Sequence, residues 1–400
     1  MASFYALYSS RNGRHSCRAG SVNHHLDGAR ADPNKLCFIL HTGGIAGTTF
    51  LAVVKTNLQK LIRIFFLFPL LQLSLFCRAR YFLCSDGKEA MLFLNKAQPG
   101  DTIALADGVY NDALIRFAAQ GVAASPVVFM AQTGGQVFFE GRSTLSFSGS
   151  YIVVKGFCWR NGGTINEQSV IEFKTAADKP ADYSIVEHCS IDNYNNADKT
   201  IDNKWISVYG KYNTVKNCLL RGKDNLGATL TVWLKDGEPA HHTVEYNHFL
   251  QRINGPAADN GLESMRIGDS KTSMTDAFCL VQLNLFEECD GEIEIISNKS
   301  GKNSFLNNTF YNSNGGLTLR HGNGAICDGN FFFGNNKPGS YGIRIIGENH
   351  TVSSNYFSGL NGSADKFRAP ITVVNGVENS PPNGYLKEKK GLKTGKFIIN

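Results

Sequence analysis

The chain has 400 residues, 42% of them hydrophobic, so it can build one long β architecture or two to three ordinary domains around a sizeable core. Its net charge is +6, but residues 1–80 carry 10 basic and 2 acidic residues, which leaves 30 basic and 32 acidic residues in the remainder. Because the positive excess lies in this leading stretch, overall basicity does not indicate a nucleic-acid partner, and any attraction of an acidic substrate must be local.

An apolar run precedes the regular part of the chain. Residues 61–77 read LIRIFFLFPLLQLSLFC, a run that Arg63 and Pro69 interrupt; it is short for a membrane span and has the length of a secretory signal core. We therefore expect residues 54–80 to be a signal peptide region and residues 1–53 to be an extension from a start codon assigned too far upstream. The protein is then secreted or periplasmic and has no stable membrane span. The alternative is an N-terminal extension that carries one buried apolar helix.

Ten cysteines are spread singly along the chain, and no Cys-x-x-Cys pair occurs. This spacing does not support a zinc ribbon or a thiol redox site. Cys189 and Cys218 instead occupy a fixed position of an internal repeat, so we expect them to be small buried residues.

The regular part of the chain, residues 81–400, opens with a helical pattern. Residues 86–97 have apolar side chains at helical spacing, and Pro99 and Gly100 separate them from the strand-like segment TIAL at 102–105. This order predicts a short N-terminal helix that caps the first coil of a repeat structure.

A short phrase recurs from residue 150 onward. It consists of an apolar residue, two variable residues, Asn or Cys, one further residue and a large apolar residue. The Asn or Cys position steps by 29, 29, 37, 24, 22 and 25 residues through Cys189, Cys218, Asn247, Asn284, Asn308, Asn330 and Asn355. Internal repeats of this size are typical of solenoids and propellers.

Second strand-like segments lie between the copies of this phrase. They are separated by Gly and Asn turns and show no helical periodicity, which disfavours βαβ units; examples are residues 205–210, 229–234, 292–296, 316–320 and 342–346. We predict an all-β fold, a single right-handed parallel β-helix, with an inward asparagine ladder and an internal aromatic stack. Residues 371–374 read as a further coil strand without a visible cap after it, so we expect the solenoid to be truncated at its C-terminus.

A pair of acids stands out in one of these segments. A regular strand would point Glu292 and Glu294 to one face and the intervening isoleucines to the other. Lys299 follows five residues after Glu294, and Arg320 follows 21 residues after Lys299, which is close to one coil. An isolated Glu-x-Glu on an exposed strand is usually solvated surface. The joint pattern instead predicts a metal and base site on one wall of the solenoid.

At these positions the sequence resembles polysaccharide lyase family 6, the parallel β-helix enzymes that include alginate lyases and chondroitinase B. The resemblance covers about residues 80–390, and its motifs are KAQPGDTI at 96–103, ADGVY at 106–110, NGLESMRIG at 260–268, EIE at 292–294 with Lys299, and LRHGN at 319–323. It implies that Asn260, Glu292 and Glu294 bind a calcium ion, that Lys299 is the general base, and that Arg320 is the general acid or charge stabiliser.

The resemblance implies a lyase that cleaves a 4-linked uronic acid polysaccharide by calcium-assisted β-elimination, with alginate as the expected substrate and dermatan sulfate as the alternative. The chemistry requires these residue types, since a hard cation neutralises the uronate carboxylate and an amine removes the C5 proton. Arg266, His321 and Arg344 are candidates for holding substrate acids; alternatively Arg266 pairs with Glu263, His321 caps a strand and Arg344 is plain surface. A non-catalytic carbohydrate-binding β-helix remains a rival. A hydrolase is weaker, because paired acids two residues apart do not flank a bond.

Overall fold

The computed structural model describes residues 79–254, 261–363 and 368–374 of the chain. The described residues all belong to one compact unit. The predicted extension, the apolar run at 61–77 and the predicted metal ligand Asn260 lie outside the described residues. No helix in the described part of the chain is long and apolar enough to cross a bilayer.

A short helix covers the start of the solenoid, as predicted. Helix α1 (Gly87–Leu94) begins after Asp86, whose carboxylate accepts hydrogen bonds from the amides of Lys88 and Glu89 and so satisfies two free donors of the first turn. Its side chains Ala90 and Leu94 are fully buried in the core. The helix packs on the first coils and closes the end of the hydrophobic interior.

The described strands, numbered in chain order, form three sheets, and each full coil contributes one strand to each sheet. The first sheet contains β1 (Tyr81–Cys84), β2 (Thr102–Leu105), β5 (Val127–Ala131), β8 (Ile152–Lys155), β13 (Ile185–Glu187), β16 (Thr214–Lys216), β19 (Thr243–Glu245), β22 (Leu280–Gln282), β25 (Ser304–Leu306), β28 (Ile326–Asp328) and β31 (Thr351–Ser353). The second sheet contains β3 (Gly108–Asn111), β6 (Val137–Gly141), β9 (Phe157–Gly162), β14 (Ser190–Asp192), β17 (Leu219–Arg221), β20 (His248–Leu250), β23 (Leu285–Glu287), β26 (Thr309–Tyr311), β29 (Phe331–Phe333) and β32 (Tyr356–Ser358).

The third sheet carries the candidate site. It contains β4 (Leu114–Gln120), β7 (Thr144–Ser150), β10 (Ile171–Glu172), β11 (Lys174–Ala176), β12 (Lys179–Asp182), β15 (Ile206–Val208), β18 (Leu230–Val232), β21 (Met265–Ile267), β24 (Glu294–Lys299), β27 (Gly316–His321), β30 (Ile343–Ile345) and β33 (Ile371–Val373). Its strands pair in parallel except β11 with β12. The predicted parallel β-helix is therefore confirmed.

The recurring asparagine forms the predicted ladder. Each phrase ends a strand of the first sheet, turns the chain through a corner, and begins a strand of the second sheet. At that corner each side-chain amide donates to the next asparagine's Oδ1 at 2.9–3.0 Å, in the order Asn247, Asn284, Asn308, Asn330, Asn355. These bonds satisfy buried polar groups inside the tube, so the ladder fixes how successive coils stack.

The large apolar residue of the phrase forms the predicted aromatic stack. Rings from five successive coils lie 4.5–5.1 Å apart between centroids with nearly parallel planes, in the order Phe249, Phe286, Phe310, Phe332 and Phe357. Cys189 and Cys218 replace asparagine in the earlier coils and are at most 4% exposed. The seven cysteines in the described part of the chain are all free, and the burial of Cys189 and Cys218 confirms that those at the asparagine position are core residues.

Candidate active site

Four neighbouring strands of the third sheet bring the predicted site residues together. Strands β21, β24, β27 and β30 pair in parallel, with Arg266, Ser297, Thr318 and Arg344 in register across them. Their apolar residues, such as Leu319, are buried in the core, so the alternate residues face outward. Arg320 therefore lies one coil from the strand of Glu294, as the repeat length predicts.

The strand that carries the acids is less regular than predicted. β24 begins at Glu294, so Glu292 precedes the strand, and its carboxylate accepts a hydrogen bond of 3.3 Å from the Leu262 amide. The register shifts between Glu294 and Ile296, and Ile295 and Ile296 are both buried. The expectation of two acids alternating with two inward isoleucines on one strand is therefore wrong, because a β-bulge breaks the two-residue period.

Glu294 is the most heavily bonded acid of the site. Its side chain is 5% exposed and accepts a hydrogen bond of 2.8 Å from Arg320 Nη1. Arg344 also forms an ion pair with it, and the Ser297 hydroxyl donates to its other oxygen. Arg344 is 6% exposed. The alternative of Arg344 as plain surface is therefore wrong, since it is a buried partner of Glu294.

A third acid, Glu263, completes the cluster and was missed as a site residue from the sequence. Glu263 is 1% exposed, and its Oε1 lies 3.8 Å from Lys299 Nζ, whereas its Oε2 is buried without a hydrogen-bond partner among the described residues. The signal available was a Glu two residues before a strand that packs beside the Glu-Ile-Glu segment. Its partner is Lys299, while the guanidinium of Arg266 lies 5.3 Å from the ring centroid of Trp233.

Burial and charge shift the protonation of two groups here. Burial raises the pKa of Glu292 to about 8, and the negative charges of Glu263 and Glu294 add to this effect. Burial lowers the pKa of His321 to about 4, and Arg320 and Lys299 act in the same direction. His321 is 5% exposed and pairs in register with Lys299, so a neutral imidazole faces the site at neutral pH.

The donor chemistry of the cluster fits a hard divalent cation. Three carboxylates share one wall, burial and the nearby carboxylates raise the pKa of Glu292, and Glu263 has a buried side-chain oxygen without a hydrogen-bond partner among the described residues. Carboxylate oxygens are the ligands that calcium prefers. Among the described residues, however, no three His, Cys, Asp or Glu side chains converge closely enough to enclose an ion, and Glu294 is paired with Arg320 and Arg344.

An open groove of about 670 Å³ lies on the same sheet nearer the N-terminal end. Ser148, Tyr151, Lys179 and Tyr183 are among the residues that line it, and Lys299 and Arg320 are not. It is therefore separate from the acid cluster.

Comparisons with known proteins agree with this architecture. The Chondroitinase B family model matches residues 85–392. The structure of the family 6 alginate lyase AlyGC is similar, with 41% identity and a TM-score of 0.72 over 77% of this chain and 42% of AlyGC. A mannuronic acid specific family 6 lyase from human gut microbiota has 30% identity and a TM-score of 0.69 over 74% of this chain and 67% of its own.

A family 6 lyase from Pseudopedobacter saltans has 32% identity and a TM-score of 0.64, over 70% of this chain and 63% of its own. The chain thus spans less than half the length of AlyGC. A search of curated proteins finds no match. Because the family model covers most of the sequence and the similar structures share its fold, the chain belongs to polysaccharide lyase family 6, the family of chondroitinase B.

Proposed function

We propose that this protein is a polysaccharide lyase that cleaves alginate, a 4-linked uronic acid polysaccharide, by β-elimination. One observation carries the proposal: Lys299 and Arg320 lie on adjacent strands beside the same cluster of buried acids. A lone lysine or arginine on the outside of a solenoid would be ordinary surface. Lys299 is only 14% exposed in its side chain, so it lies within the wall.

Each residue of the cluster has a role in the elimination. Lys299 removes the proton from C5 of the uronate, and Arg320, which is 40% exposed in its side chain, reaches the open side to stabilise charge or to protonate the leaving oxygen. The bond between C4 and its glycosidic oxygen then breaks, leaving a double bond between C4 and C5 at the new chain end. Arg266, His321 and Arg344 position the acidic sugar by charge and hydrogen bonding.

Calcium is the proposed cofactor. Glu263, Glu292 and Glu294 would hold it together with Asn260, and when bound it neutralises the uronate carboxylate so that the C5 proton becomes more acidic. Within the chain, Lys299 must be neutral to accept a proton, yet Glu263 lies 3.8 Å from its nitrogen. Glu263 would attract the ammonium group less if it held a cation.

Alginate is preferred over dermatan sulfate because the similar structures at 41% and 30% identity are described as an alginate lyase and a mannuronic acid specific lyase. Dermatan sulfate is the second candidate, since the matching family model is that of chondroitinase B. Offering both polymers to the same preparation separates them, because only a true substrate yields unsaturated ends that absorb in the ultraviolet.

Export is part of the proposal, on the basis of the apolar run at 61–77. Mass spectrometry of the secreted product tests it. A mature N-terminus that lies after this run supports a signal peptide, and one that lies before it contradicts the assignment.

Replacement of the proposed base tests the activity. Lys299→Ala should abolish the release of unsaturated ends from alginate, since no other lysine is placed beside the acid cluster in the described residues. Lys155→Ala is the matched control, because Lys155 lies on β8 in the first sheet, which is a different wall of the solenoid. Unchanged activity of Lys299→Ala would contradict the assignment of the base, and loss of activity in both variants would point to misfolding.

A further inference from the structure

The chain turns from the second sheet to the third just before it enters the strands of the candidate site. In three successive coils these turns lie between β17 and β18, between β20 and β21, and between β23 and β24. The second turn carries Glu263 and the third carries Glu292. Arg252 stands in the second turn, is 2% exposed and has no part in the proposed elimination. A buried guanidinium is costly to desolvate, so its bonding partners indicate what it does there.

The guanidinium of Arg252 bonds to backbone carbonyl groups. Its Nη1 donates to the carbonyl oxygens of Lys223 at 3.0 Å and Ile253 at 2.9 Å. Its Nη2 donates to the carbonyl oxygens of Asn225 at 2.9 Å and Gly227 at 3.2 Å. These four bonds use all four hydrogens of the two terminal nitrogens, so Arg252 ties its own turn to the turn of the preceding coil.

The turn that Arg252 holds bonds in its turn to the segment of Glu263. The amide of Gly227 donates to the carbonyl oxygen of Gly261 at 2.7 Å. The amide of Thr229 donates to the carbonyl oxygen of Glu263 at 3.0 Å. Arg252 therefore fixes the backbone that carries Glu263 through one intervening turn.

Arg252 also contacts the segment that leads into Glu292. Its own carbonyl oxygen accepts a hydrogen bond of 2.7 Å from the amide of Asp290. Gly291 packs so closely that an added Cβ would lie 2.9 Å from Arg252 Cγ and 2.2 Å from the carbonyl oxygen of Leu262. The amide of Leu262 in turn donates to the Glu292 carboxylate at 3.3 Å. No side chain fits at Gly291, so the path of the backbone into Glu292 follows the stem of Arg252.

A second buried cation, Lys223, braces the same turn. Lys223 is fully buried, and its Nζ donates to four oxygens at 3.1–3.2 Å, namely Asn203 Oδ1, Asn225 Oδ1 and the carbonyl oxygens of Asn225 and Leu226. The carbonyl oxygen of Asn225 thus accepts from both Lys223 and Arg252. The two side chains hold one turn between them, which makes the support of the acids rigid.

We propose that Arg252 is a positioning residue for the acid cluster, which holds Glu263 and Glu292 in place through the backbone that carries them. This rests on the proposed function, in which the two acids bind calcium. The terminal nitrogens of Arg252 bond to carbonyl groups, so they leave the oxygens of these two carboxylates open to a ligand. Glu294 differs in this respect, because Arg320 donates to one of its oxygens.

Arg252 can act on the two acids in two ways, which have opposite effects on a cation. Burial lowers the pKa of Arg252 to about 10, so it stays charged at neutral pH, and the negative charges of Glu263 and Glu292 act in the opposite direction. Loss of this positive charge alone should strengthen cation binding at the acids, because like charges repel. Loss of the four carbonyl bonds should weaken it, because the acids are then no longer held in place. The sign of the change therefore distinguishes the two effects.

Calorimetric titration of the full chain with calcium tests the proposal. In Arg252→Met the Kd for calcium should rise about 10- to 100-fold, the range for residues that orient metal ligands. Arg252→Lys keeps the charge but has three donors for four carbonyl groups, so its Kd should rise about tenfold. The lysine variant keeps the test valid if the methionine variant does not fold.

Asn247→Ala is the matched control for a loss of buried hydrogen bonds on the same coil. Asn247 is 2% exposed, and its side chain makes three hydrogen bonds of 2.9–3.0 Å at the corner between the first and second sheets. This variant should lower the free energy of unfolding and leave the Kd for calcium unchanged. The proposal is overturned by an unchanged Kd in Arg252→Lys, by an equal rise in Asn247→Ala, or by tighter binding in Arg252→Met.

Hydrogen exchange separates this proposal from the proposed function, because it needs neither calcium nor substrate. In Arg252→Lys the amides of Gly227, Thr229 and Leu262 should exchange faster than in the unaltered protein, whereas Asn247→Ala should leave their rates unchanged. If the unaltered protein binds no calcium, the proposed cofactor is wrong, and these exchange rates decide the positioning role. Unchanged rates in Arg252→Lys overturn that role, even if the unaltered protein binds calcium and cleaves alginate.

Discussion

Glu292 should tie the stability of the cation-free protein to pH. Its pKa is about 8 in the folded protein, compared with 4.5 for an ordinary glutamate, because of burial and the nearby charges of Glu263 and Glu294. The folded state therefore keeps a proton that the unfolded chain releases, so this contribution is fully present below pH 4.5 and is lost as pH rises toward 8. At roughly 1.4 kcal/mol per pH unit, and allowing for partial exposure of the carboxyl, the loss is about 4 kcal/mol.

Urea unfolding at two pH values measures this effect. With a chelator present, the free energy of unfolding should fall by about 4 kcal/mol between about pH 5 and about pH 8, apart from the contribution of other groups. Added calcium should stabilise the protein more at the higher pH, because the ion replaces a proton that is held more weakly there.

Substitution of Glu292 measures how much of this pH dependence of stability Glu292 causes. Glu292→Gln should remove most of the fall in stability, whereas Glu245→Gln, on the first sheet and hydrogen-bonded to Gln282 at 2.7 Å, should leave it unchanged. Equal stability of the chelated protein at both pH values, or an undiminished pH dependence in Glu292→Gln, would refute this role of Glu292.

Two further predictions concern single contacts. Asn308→Ala removes four hydrogen bonds at 2.9–3.1 Å inside the ladder and should lower the free energy of unfolding in urea by about 3 kcal/mol. Asn355→Ala, at the end of the described ladder, should lower it less. Equal losses in the two variants would contradict a cooperative ladder. Arg344→Met removes a buried partner of Glu294 and should destabilise the chelated protein by about 2 to 4 kcal/mol in thermal unfolding. The loss of stability should be smaller when calcium is present. The same loss in both conditions would contradict a role of Glu294 in binding both Arg344 and the cation.

The solenoid could be predicted from the sequence because every coil repeats the same local requirement. The corner needs an amide that bonds to the coils above and below, and the next inward position needs a flat ring, so Asn308 and Phe310 recur as a pair in neighbouring coils. Strand bounds were predicted less well. Residues 229–234 were predicted as a strand-like segment, but only Leu230–Val232 form a strand. In such short rungs the corners, rather than strand propensity, determine where pairing ends.

The acid cluster could be predicted only in part, because its contacts join coils instead of neighbours in the chain. Coil length placed Arg320 beside Glu294, but nothing local to Glu263 indicates that it meets Lys299, 36 positions away. The β-bulge after Glu294 also has no signal in the sequence, since Glu-Ile-Glu-Ile-Ile reads equally well as a regular alternating strand.

Under the proposed function, Glu294 would couple binding of a cation to binding of an acidic substrate. One carboxylate forms ion pairs with both Arg320 and Arg344, and both guanidinium groups are also suited to a sugar carboxylate. The proposed cation would compete with these arginines for the negative charge of Glu294 and so weaken the ion pairs that hold them. Cation and substrate should then each raise the affinity for the other, because such coupling is reciprocal.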